Sequence, residues 1–336
     1  MTRPRALLAM DPRLPGALFD AGALARLRAA TDLDTGLVVT EADSARSRIA
    51  LAETEILVAG WDAPVVGSAL LPRLRAVIYA GGVAATCLAD PESFAARGVV
   101  AANARAANSA PVAEYTLAMI LLANKNVLGA EREYRRSRTV PGPLAADPRN
   151  GNYRQTVGIV GASTVGRAVL ALLRSFDLDV LLHDPTLTPE QAHELGARLV
   201  PLDELMAASG VVSLHQPLTP DTRGQIDGAA LALLRDGATL INTARGAVVD
   251  QNALVAELRS GRITAVLDVT DPEPPATDSE LWTLDNVVLT PHLAGSLGGE
   301  LRRIGDAVTD EVERFTSDRP FAHPEDLVAS AHARVR

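Results

Sequence analysis

Three features are scarce in this chain of 336 residues, and each scarcity limits what the protein can be. Cys87 is the single cysteine, so no disulfide can form within the chain. Aromatic residues make up only 3% of the sequence, so the cores must be built mainly from alanine, valine, leucine and isoleucine. No apolar run approaches the ~18 residues that a membrane-spanning helix needs, and the first apolar run is too short for a secretion signal. We therefore expect a cytoplasmic protein with no membrane partner.

Positive charge is also in short supply. The sequence has 41 acidic and 32 basic residues, which gives a net charge of −9. An acidic protein repels phosphate backbones at long range, so we expect no nucleic-acid partner. The densest basic run, residues 132–138, is interrupted by Glu133 and is typical of a solvated helix face. We expect no metal site.

Short apolar runs are abundant, and they alternate with helical patterns from end to end. This alternation is typical of α/β proteins, in which helical crossovers join parallel strands. A loop composition at residues 137–152 interrupts it, and the length suggests two domains. The strand candidates before that loop are 6–10, 37–40, 56–59, 76–79 and 99–102. The six candidates after it are 156–160, 180–182, 211–214, 239–242, 265–268 and 287–289.

Two long helices are predicted at the edges of the second series of strands. The first is expected to begin at Pro111, because proline suits the first helical turn, with Ser109 as its cap. The second is expected at about residues 298–315. Six strands with intervening helices are what a doubly wound dinucleotide-binding fold needs.

A glycine-containing turn follows the strand candidate at 156–160. Gly161 would make the tight turn, and Gly166 would let the following helix pack close to the strand. The helix N-terminus, at Thr164 and Val165, would offer free N–H groups to a pyrophosphate. Ser163 stands where the fingerprint usually has its middle glycine, and its hydroxyl could itself donate to phosphate. The alternative is a purely structural strand–turn–helix.

Asp184 ends the next strand, close to the ~20 residues after the turn at which an acid accepts hydrogen bonds from the adenosine ribose. A carboxylate there would repel the 2′-phosphate of NADP, so NAD is the expected coenzyme. The alternative for Asp184 is a helix cap or turn residue.

Three charged or titratable residues follow later strands, at the sheet edge where ligands bind in such folds. Arg245 can bind a carboxylate with its planar fork and polarise a carbonyl oxygen. His292 can give a proton to a developing alkoxide and take it back in oxidation. Glu273 can orient His292 and stabilise its charged form. Taken singly, Arg245 could form a surface ion pair, Glu273 could be a solvated loop residue, and His292 could be a structural histidine. Together they supply what 2-keto acid reduction requires.

The chain resembles the D-isomer-specific 2-hydroxyacid dehydrogenases over nearly its whole length. The motifs that carry the resemblance are Asn-Thr-Ala-Arg-Gly at 242–246, Leu-Asp-Val with Glu-Pro at 267–274, Leu-Thr-Pro-His at 289–292, His-Gln-Pro-Leu-Thr at 215–219 and Val-Ala-Glu at 112–114. The resemblance implies that Arg245, Glu273 and His292 are the catalytic residues. It implies that Gly81, Gly82 and Val83 form a loop whose backbone N–H groups hold the substrate carboxylate, together with Arg245. Further implied coenzyme contacts are Pro217, Thr243, Ala244, Arg245, Asp268, His292 and Gly295.

The resemblance also implies an architecture and an assembly. The expected fold is two doubly wound parallel-sheet domains: a flavodoxin-like catalytic domain and a Rossmann NAD-binding domain. The catalytic domain is expected from residues 1–109 plus 293–336, and the NAD-binding domain from 110–292. A homodimer is expected. The implied reaction is hydride transfer between NAD(H) and C2 of a small D-2-hydroxy acid or 2-keto acid.

Two other functions stay open at this level. Some proteins of this fold are NAD(H)-sensing corepressors that bind partner peptides, and such a protein could retain Arg245, Glu273 and His292. An enzyme would turn over a 2-keto acid, whereas a corepressor would bind a peptide without turnover, so these two measurements separate the two functions. Another NAD oxidoreductase acting on formate or phosphite is the third possibility. The 2-hydroxy acid itself is not evident, since Ala84-Ala85-Thr86 follows the substrate loop where family members often have Asp or Asn.

Overall fold

The computed structural model describes residues 3–140, 142 and 147–330. The chain forms two compact units, one made of residues 1–108 with 296–336 and the other of residues 109–295. The sequence predicts domain boundaries at 109/110 and 292/293. They lie one residue and three residues from the boundaries between the two units, which are 108/109 and 295/296. Part of the 137–152 loop, including Pro141 and Pro143, lies outside the described residues.

Thirteen strands are present in the described part of the chain, and most are short and buried. They are β1 (Arg5–Ala9), β2 (Asp32–Val39), β3 (Ile56–Ala59), β4 (Ala76–Tyr79), β5 (Val100–Asn103), β6 (Thr156–Val160), β7 (Asp179–His183), β8 (Arg198–Leu199), β9 (Val211–Leu214), β10 (Thr239–Asn242), β11 (Thr264–Leu267), β12 (Val287–Leu289) and β13 (Pro324–Glu325).

Twelve α-helices join these strands in the described residues. They are α1 (Leu14–Leu18), α2 (Ala21–Ala30), α3 (Ala45–Glu53), α4 (Pro91–Ala96), α5 (Arg105–Asn124), α6 (Val127–Ser137), α7 (Thr164–Leu173), α8 (Pro189–Glu194), α9 (Leu202–Ala208), α10 (Gly228–Leu233), α11 (Gln251–Arg259) and α12 (Leu301–Thr316). None of them is both long and apolar enough to cross a lipid bilayer.

The sheet of the first unit has the order β2-β1-β3-β4-β5-β13. The first five strands are parallel, and the order 2-1-3-4-5 is the flavodoxin-like form of the doubly wound fold. β13 pairs antiparallel with β5 at the edge. Apolar clusters cover both faces of the sheet, as expected when crossover helices flank a parallel sheet.

The sheet of the second unit has the order β8-β7-β6-β9-β10-β11-β12, and all its pairs are parallel. This is the 3-2-1-4-5-6 order of the Rossmann fold with one more strand at the end. The order reverses between β6 and β9, which is where such folds bind dinucleotides. The expected fold class of two doubly wound α/β domains is confirmed.

Side-chain caps set the beginning of six of the twelve helices in the described residues. A serine, threonine or aspartate accepts a hydrogen bond from the N–H of the third helical residue, which satisfies one of the unpaired amides of the first turn. The capping residues are Asp20, Ser44, Ser163, Thr188, Asp227 and Asp250.

The prediction that a helix begins at Pro111 is wrong. α5 begins at Arg105, and both Ser109 and Pro111 lie inside it. The Asn103 side chain accepts from the N–H of Arg105, the first helical residue, at 3.1 Å, and the helix begins six residues before Pro111. Pro111 then leaves the Ala107 carbonyl without its usual donor, and α5 continues regardless.

The second sheet also has one strand more than predicted. β8 consists of two residues, Arg198 and Leu199, which pair with Leu181 and Leu182 of β7. A two-residue edge strand is too short to show an apolar run or an alternation, so the pattern analysis missed it.

Candidate active site

His292 and Glu273 form a hydrogen-bonded pair at the carboxyl edge of the second sheet. His292 Nδ1 lies 2.7 Å from Glu273 Oε1, with the two side chains 53% and 42% exposed. His292 follows β12, and Glu273 lies in the loop after β11. Because Nδ1 faces the carboxylate, the second ring nitrogen, Nε2, is left to meet a ligand; it has no hydrogen-bond partner among the described residues.

A buried aspartate holds the loop that carries His292. Asp268, 2% exposed, accepts hydrogen bonds from Thr290 Oγ1 at 2.7 Å, Leu293 N at 2.8 Å and Ala294 N at 3.0 Å. Its backbone carbonyl accepts from His292 N at 3.0 Å. These bonds keep His292 at φ 52°, a left-handed conformation that a non-glycine residue adopts only when its surroundings impose it.

Tyr115 of α5 extends this network. Its hydroxyl lies 3.1 Å from Thr290 Oγ1, and since the threonine proton goes to Asp268, the tyrosine donates. Burial raises the pKa of Tyr115, so its hydroxyl stays protonated at neutral pH. Helix α5 thus supports the loop that carries the imidazole.

Arg245 begins the turn after β10, and Asn242 shapes this turn. The Asn242 amide donates to the Arg245 carbonyl at 2.9 Å and accepts from Ala244 N at 3.0 Å. The exposed guanidinium of Arg245 donates from Nη1 to the Ala244 carbonyl at 2.6 Å. No acidic side chain pairs with it among the described residues, so most of its fork remains available to a ligand carboxylate.

Gly246 brings this turn against the loop that follows β11. A Cβ at Gly246 would lie 2.0 Å from the carbonyl carbon and oxygen of Thr270, closer than any side chain can approach. Only glycine therefore allows the Arg245 turn to pack against the loop that leads to Glu273.

The predicted glycine turn lies at the switch point between β6 and β9. Gly161 has φ 92°, and a Cβ there would lie 2.5 Å from the backbone nitrogen of Gln216. A Cβ at Gly166 would lie 2.1 Å from the Gly161 carbonyl oxygen, so α7 packs directly on the turn. Both glycines are required by close backbone approach, as the fingerprint demands.

Ser163 caps α7 rather than interrupting the motif. Its Oγ accepts from Gly166 N at 3.3 Å, which leaves the hydroxyl proton free to donate. The N–H groups of Thr164 and Val165 have no partner in the described part of the chain. The start of α7 therefore presents unpaired donors at the positive end of the helix dipole.

Asp184 lies beside the same turn. Its Oδ2 accepts from Ala162 N at 2.7 Å, and its Oδ1 accepts from Thr186 N at 2.9 Å and Thr186 Oγ1 at 2.6 Å. Partial burial pushes the pKa of Asp184 up, but the bonds from Thr186 and Ala162 outweigh it and hold the pKa below its ordinary value. Asp184 is therefore ionised at neutral pH.

These residues fit a dinucleotide coenzyme. The turn has no side chain at Gly161 or Gly166, the helix start offers N–H donors for a pyrophosphate, and Asp184 places a carboxylate after β7. The other predicted coenzyme contacts lie in the same unit: Pro217 after β9, Thr243 and Ala244 after β10, Asp268 after β11, and Gly295. Thr243 is held by a 3.1 Å hydrogen bond to Thr116 of α5.

His215 is the buried histidine behind the glycine turn. Burial lowers its pKa to about 3, and only Nε2 is bonded, to Ser213 Oγ at 2.9 Å. The unfolded chain binds this proton below about pH 6.5, while the folded chain resists it until about pH 3. The buried neutral His215 therefore costs the folded state nothing above about pH 6.5, and the folded state loses stability relative to the unfolded chain as the pH falls towards 3.

We expect the free energy of unfolding to fall by about 2 kcal/mol between about pH 7 and pH 5, because His215 takes up a proton in the unfolded chain and not in the folded one. Urea denaturation at the two pH values measures it. His215→Leu should remove this part of the pH dependence, while His193→Leu, at an exposed site, should retain it. An unchanged pH dependence in His215→Leu would contradict the argument.

The predicted substrate loop belongs to the first unit and follows β4. The N–H groups of Gly82 and Val83 bond to no group among the described residues, so two adjacent donors are available to an anion. The N–H of Gly81 donates to Tyr79 O at 2.8 Å, so it is already bonded within the loop, and the role of this amide in substrate binding stays a prediction. Arg105 donates from Nε and Nη2 to the Gly82 carbonyl at 3.1 and 2.8 Å and holds the loop.

Sequence reasoning missed the residues that support the candidate catalytic groups. Thr290, Tyr115 and Asn242 act through hydrogen bonds to a neighbouring loop, and Gly246 acts through packing. The position of Gly246 directly after Arg245 was the one available signal, since a glycine beside a functional residue often marks a close backbone approach.

Fold and site together define a dinucleotide-binding α/β protein with an imidazole–carboxylate pair at the coenzyme edge of its Rossmann sheet. Residues 117–294 match the family profile described as "D-isomer specific 2-hydroxyacid dehydrogenase, NAD binding domain". The chain belongs to the D-isomer-specific 2-hydroxyacid dehydrogenase family, and it carries that family's NAD-binding domain.

Relatives and solved structures agree with this assignment. The chain is 36% identical over 252 residues to a D-3-phosphoglycerate dehydrogenase of Mycobacterium leprae; the match covers 75% of this chain and 46% of the relative. It thus spans about half the length of the curated relatives it matches. It is 25% identical to the D-mandelate dehydrogenase of Rhodotorula graminis (TM-score 0.76, covering 96% and 98% of the chains). It is 26% identical to a Xanthobacter autotrophicus D-isomer-specific 2-hydroxyacid dehydrogenase bound to NADPH (TM-score 0.72, 98% and 100%).

Proposed function

We propose that the chain reduces small 2-keto acids to D-2-hydroxy acids with NADH, and catalyses the reverse oxidation. The observation that carries the proposal is the 2.7 Å contact between His292 Nδ1 and Glu273 Oε1, which leaves Nε2 for proton exchange. We assign residues 109–295 as the coenzyme domain and the other unit as the substrate domain. Bound NADH supplies the hydride to C2.

His292 is the proposed proton donor. As the carbonyl carbon gains a hydride, the oxygen gains negative charge, and Nε2–H protonates it to give the alcohol. Glu273 accepts the Nδ1 hydrogen bond, which fixes the orientation of the ring and stabilises the imidazolium by charge. In the oxidation the neutral imidazole takes the proton back through the same nitrogen.

Arg245 is the proposed anchor and electrophile. Its fork binds the substrate carboxylate and polarises the carbonyl oxygen, which increases the positive character of C2. The N–H groups of Gly82 and Val83 are proposed as further donors to the carboxylate. Asp268 and Tyr115 position the His292 loop, and Asp268 is also a proposed coenzyme contact.

A substrate screen tests the proposal. NADH oxidation is followed by its absorbance with glyoxylate, hydroxypyruvate, pyruvate, phenylpyruvate and branched 2-keto acids. We expect turnover of at least one of them. Coenzyme binding without turnover of any 2-keto acid would refute the proposal and would favour a coenzyme-sensing binding protein instead.

We expect the chain to prefer NADH to NADPH, as judged by kcat/KM. Asp184 is ionised, so its charge opposes the 2′-phosphate, and Asp184→Ser should narrow the preference roughly tenfold or more. Thr186→Val is the matched control, since it removes a hydrogen bond to Asp184 but keeps the charge, and its preference should stay with NADH. The Xanthobacter relative binds NADPH, so family membership alone does not decide this point. Equal efficiency with NADPH in the wild type would defeat the prediction.

A further inference from the structure

Trp61 lies beside the substrate loop for a topological reason. β3 and β4 are parallel neighbours, and Ala59 is in register with Tyr79. Trp61 and Gly81 each come two residues after these paired positions, so the chain places them side by side at the carboxyl edge of the first sheet. The backbone carbonyl of Trp61 is held by the N–H of Asp11 at 2.9 Å.

The indole of Trp61 directly flanks the loop. Its Nε1 lies 3.5 Å from the point where a Cβ at Gly81 would stand, and the Tyr79 ring fills the other side of that glycine at 2.6 Å. Tyr79 is buried, whereas Trp61 is 37% exposed. Its indole N–H donates to no group among the described residues. A partly exposed aromatic side chain thus lies next to Gly81, in the same loop as the two available amides of Gly82 and Val83.

The charges around this surface do not suit a second anionic group. Arg13 is paired with Asp11 at 2.6 Å and also feels the charge of Asp62, which directly follows Trp61. Arg105 has two of its donors on the Gly82 carbonyl. Glu325 lies behind the loop and accepts from Ala84 N and Ala85 N at 2.9 and 3.2 Å. The loop therefore offers the N–H groups of Gly82 and Val83 to one carboxylate, while the next two N–H groups are already bonded to Glu325.

The geometry points to Trp61 as the residue that selects the substrate's side chain: it favours 2-keto acids with a large, uncharged apolar or aromatic group over glyoxylate and over 3-phosphorylated acids. This inference rests on the proposed function. An indole beside the carboxylate donors gains contact with an aromatic or branched side chain, and aromatic pairs add to the free energy of area burial. A phosphate there would be opposed by the Glu325 carboxylate behind the loop, and Arg105, the cation beside the loop, already has two of its donors on the Gly82 carbonyl. The preferred substrate therefore differs from the phosphoglycerate in the names of the curated relatives.

The first test compares kcat/KM for phenylpyruvate, glyoxylate and 3-phosphohydroxypyruvate. We expect phenylpyruvate to be the best and 3-phosphohydroxypyruvate the poorest of the three. Trp61→Ala should lower the ratio of phenylpyruvate to glyoxylate about tenfold, and Trp61→Phe should retain most of it. The matched control is Trp282→Ala, at the other tryptophan, which is 52% exposed and lies in the second unit; it should leave the ratio unchanged. A preference for 3-phosphohydroxypyruvate, or an unchanged ratio in Trp61→Ala, would overturn the inference.

The second test does not depend on turnover. Since the chain has two tryptophans, Trp282→Phe leaves Trp61 as the sole indole fluorophore. Titration of this variant with 3-phenylpropanoate in the presence of NAD⁺ should change its emission at lower concentrations than titration with propanoate. Equal responses, or none, would overturn the role of Trp61. If no 2-keto acid is reduced but the titration discriminates, the proposed function fails while the aromatic-acid site stands.

Discussion

Replacement of His292 by glutamine should lower kcat for 2-keto acid reduction by about 10²–10⁴-fold, the range that general acid catalysis contributes. Glutamine can still hydrogen-bond to Glu273, but it has no proton to give at neutral pH. The affinity for NADH should change little, because the proposed nucleotide contacts at the glycine turn and Asp184 keep their side chains and backbone in this variant. Single-turnover rates and coenzyme titration measure the two quantities separately. His193→Gln, an exposed histidine exchanged in the same way, is the control and should keep full activity. A near-normal kcat in His292→Gln would remove His292 from the mechanism.

Glu273→Gln gives the companion result for the same pair. The amide keeps the hydrogen bond to His292 Nδ1 but no longer stabilises the imidazolium by charge. The ring that gives up the proton then lacks a stabilising negative charge beside it, so reductive kcat should fall while turnover persists. A reductive kcat identical to that of the wild type would show that the 2.7 Å contact does not act on the proton transfer.

Arg245→Lys should reduce kcat/KM by about two orders of magnitude, with both kcat and KM affected. Lysine keeps the charge, but its ammonium cannot form two parallel hydrogen bonds to a carboxylate, and charge-assisted bonds of this kind are worth about 1.5–3 kcal/mol each. Steady-state kinetics at saturating NADH measures the change.

A matched arginine checks that this loss is specific to the site. Arg223 also follows a strand of the second sheet and pairs weakly with Asp271 at 3.7 Å. Arg223→Lys should change kcat/KM by less than about threefold, since exposed ion pairs contribute little. Equal losses in both variants would contradict the role assigned to Arg245.

The fold could be predicted because parallel strands buried on both faces appear as short apolar runs. Strands β3, β4, β6, β9, β10 and β12 lie where those runs predicted them. The family, the fold class and the NAD coenzyme are confirmed. Each of them could be predicted from a single sequence, because short apolar runs and local motifs are enough to indicate it. The roles of Arg245, Glu273 and His292, and the domain assignment, stay predictions.

The features that escaped prediction depend on contacts between distant segments. The start of α5 was misplaced because the helix begins six residues before Pro111, where Asn103 accepts from the N–H of Arg105. The Tyr115–Thr290–Asp268 chain joins three separate elements, so no spacing along the sequence reveals it. The N–H of Gly81 is taken by a carbonyl two residues earlier, a detail that depends on backbone torsions rather than on residue type.

Chiral analysis of the product tests the central claim most directly. The purified chain is incubated with NADH and the best 2-keto acid of the screen, and the 2-hydroxy acid is quantified on a chiral column against the NADH consumed. We expect one D-2-hydroxy acid for each NADH oxidised, and loss of that product in His292→Gln. A product that is mainly the L isomer, or NADH oxidation without any 2-hydroxy acid, would contradict it.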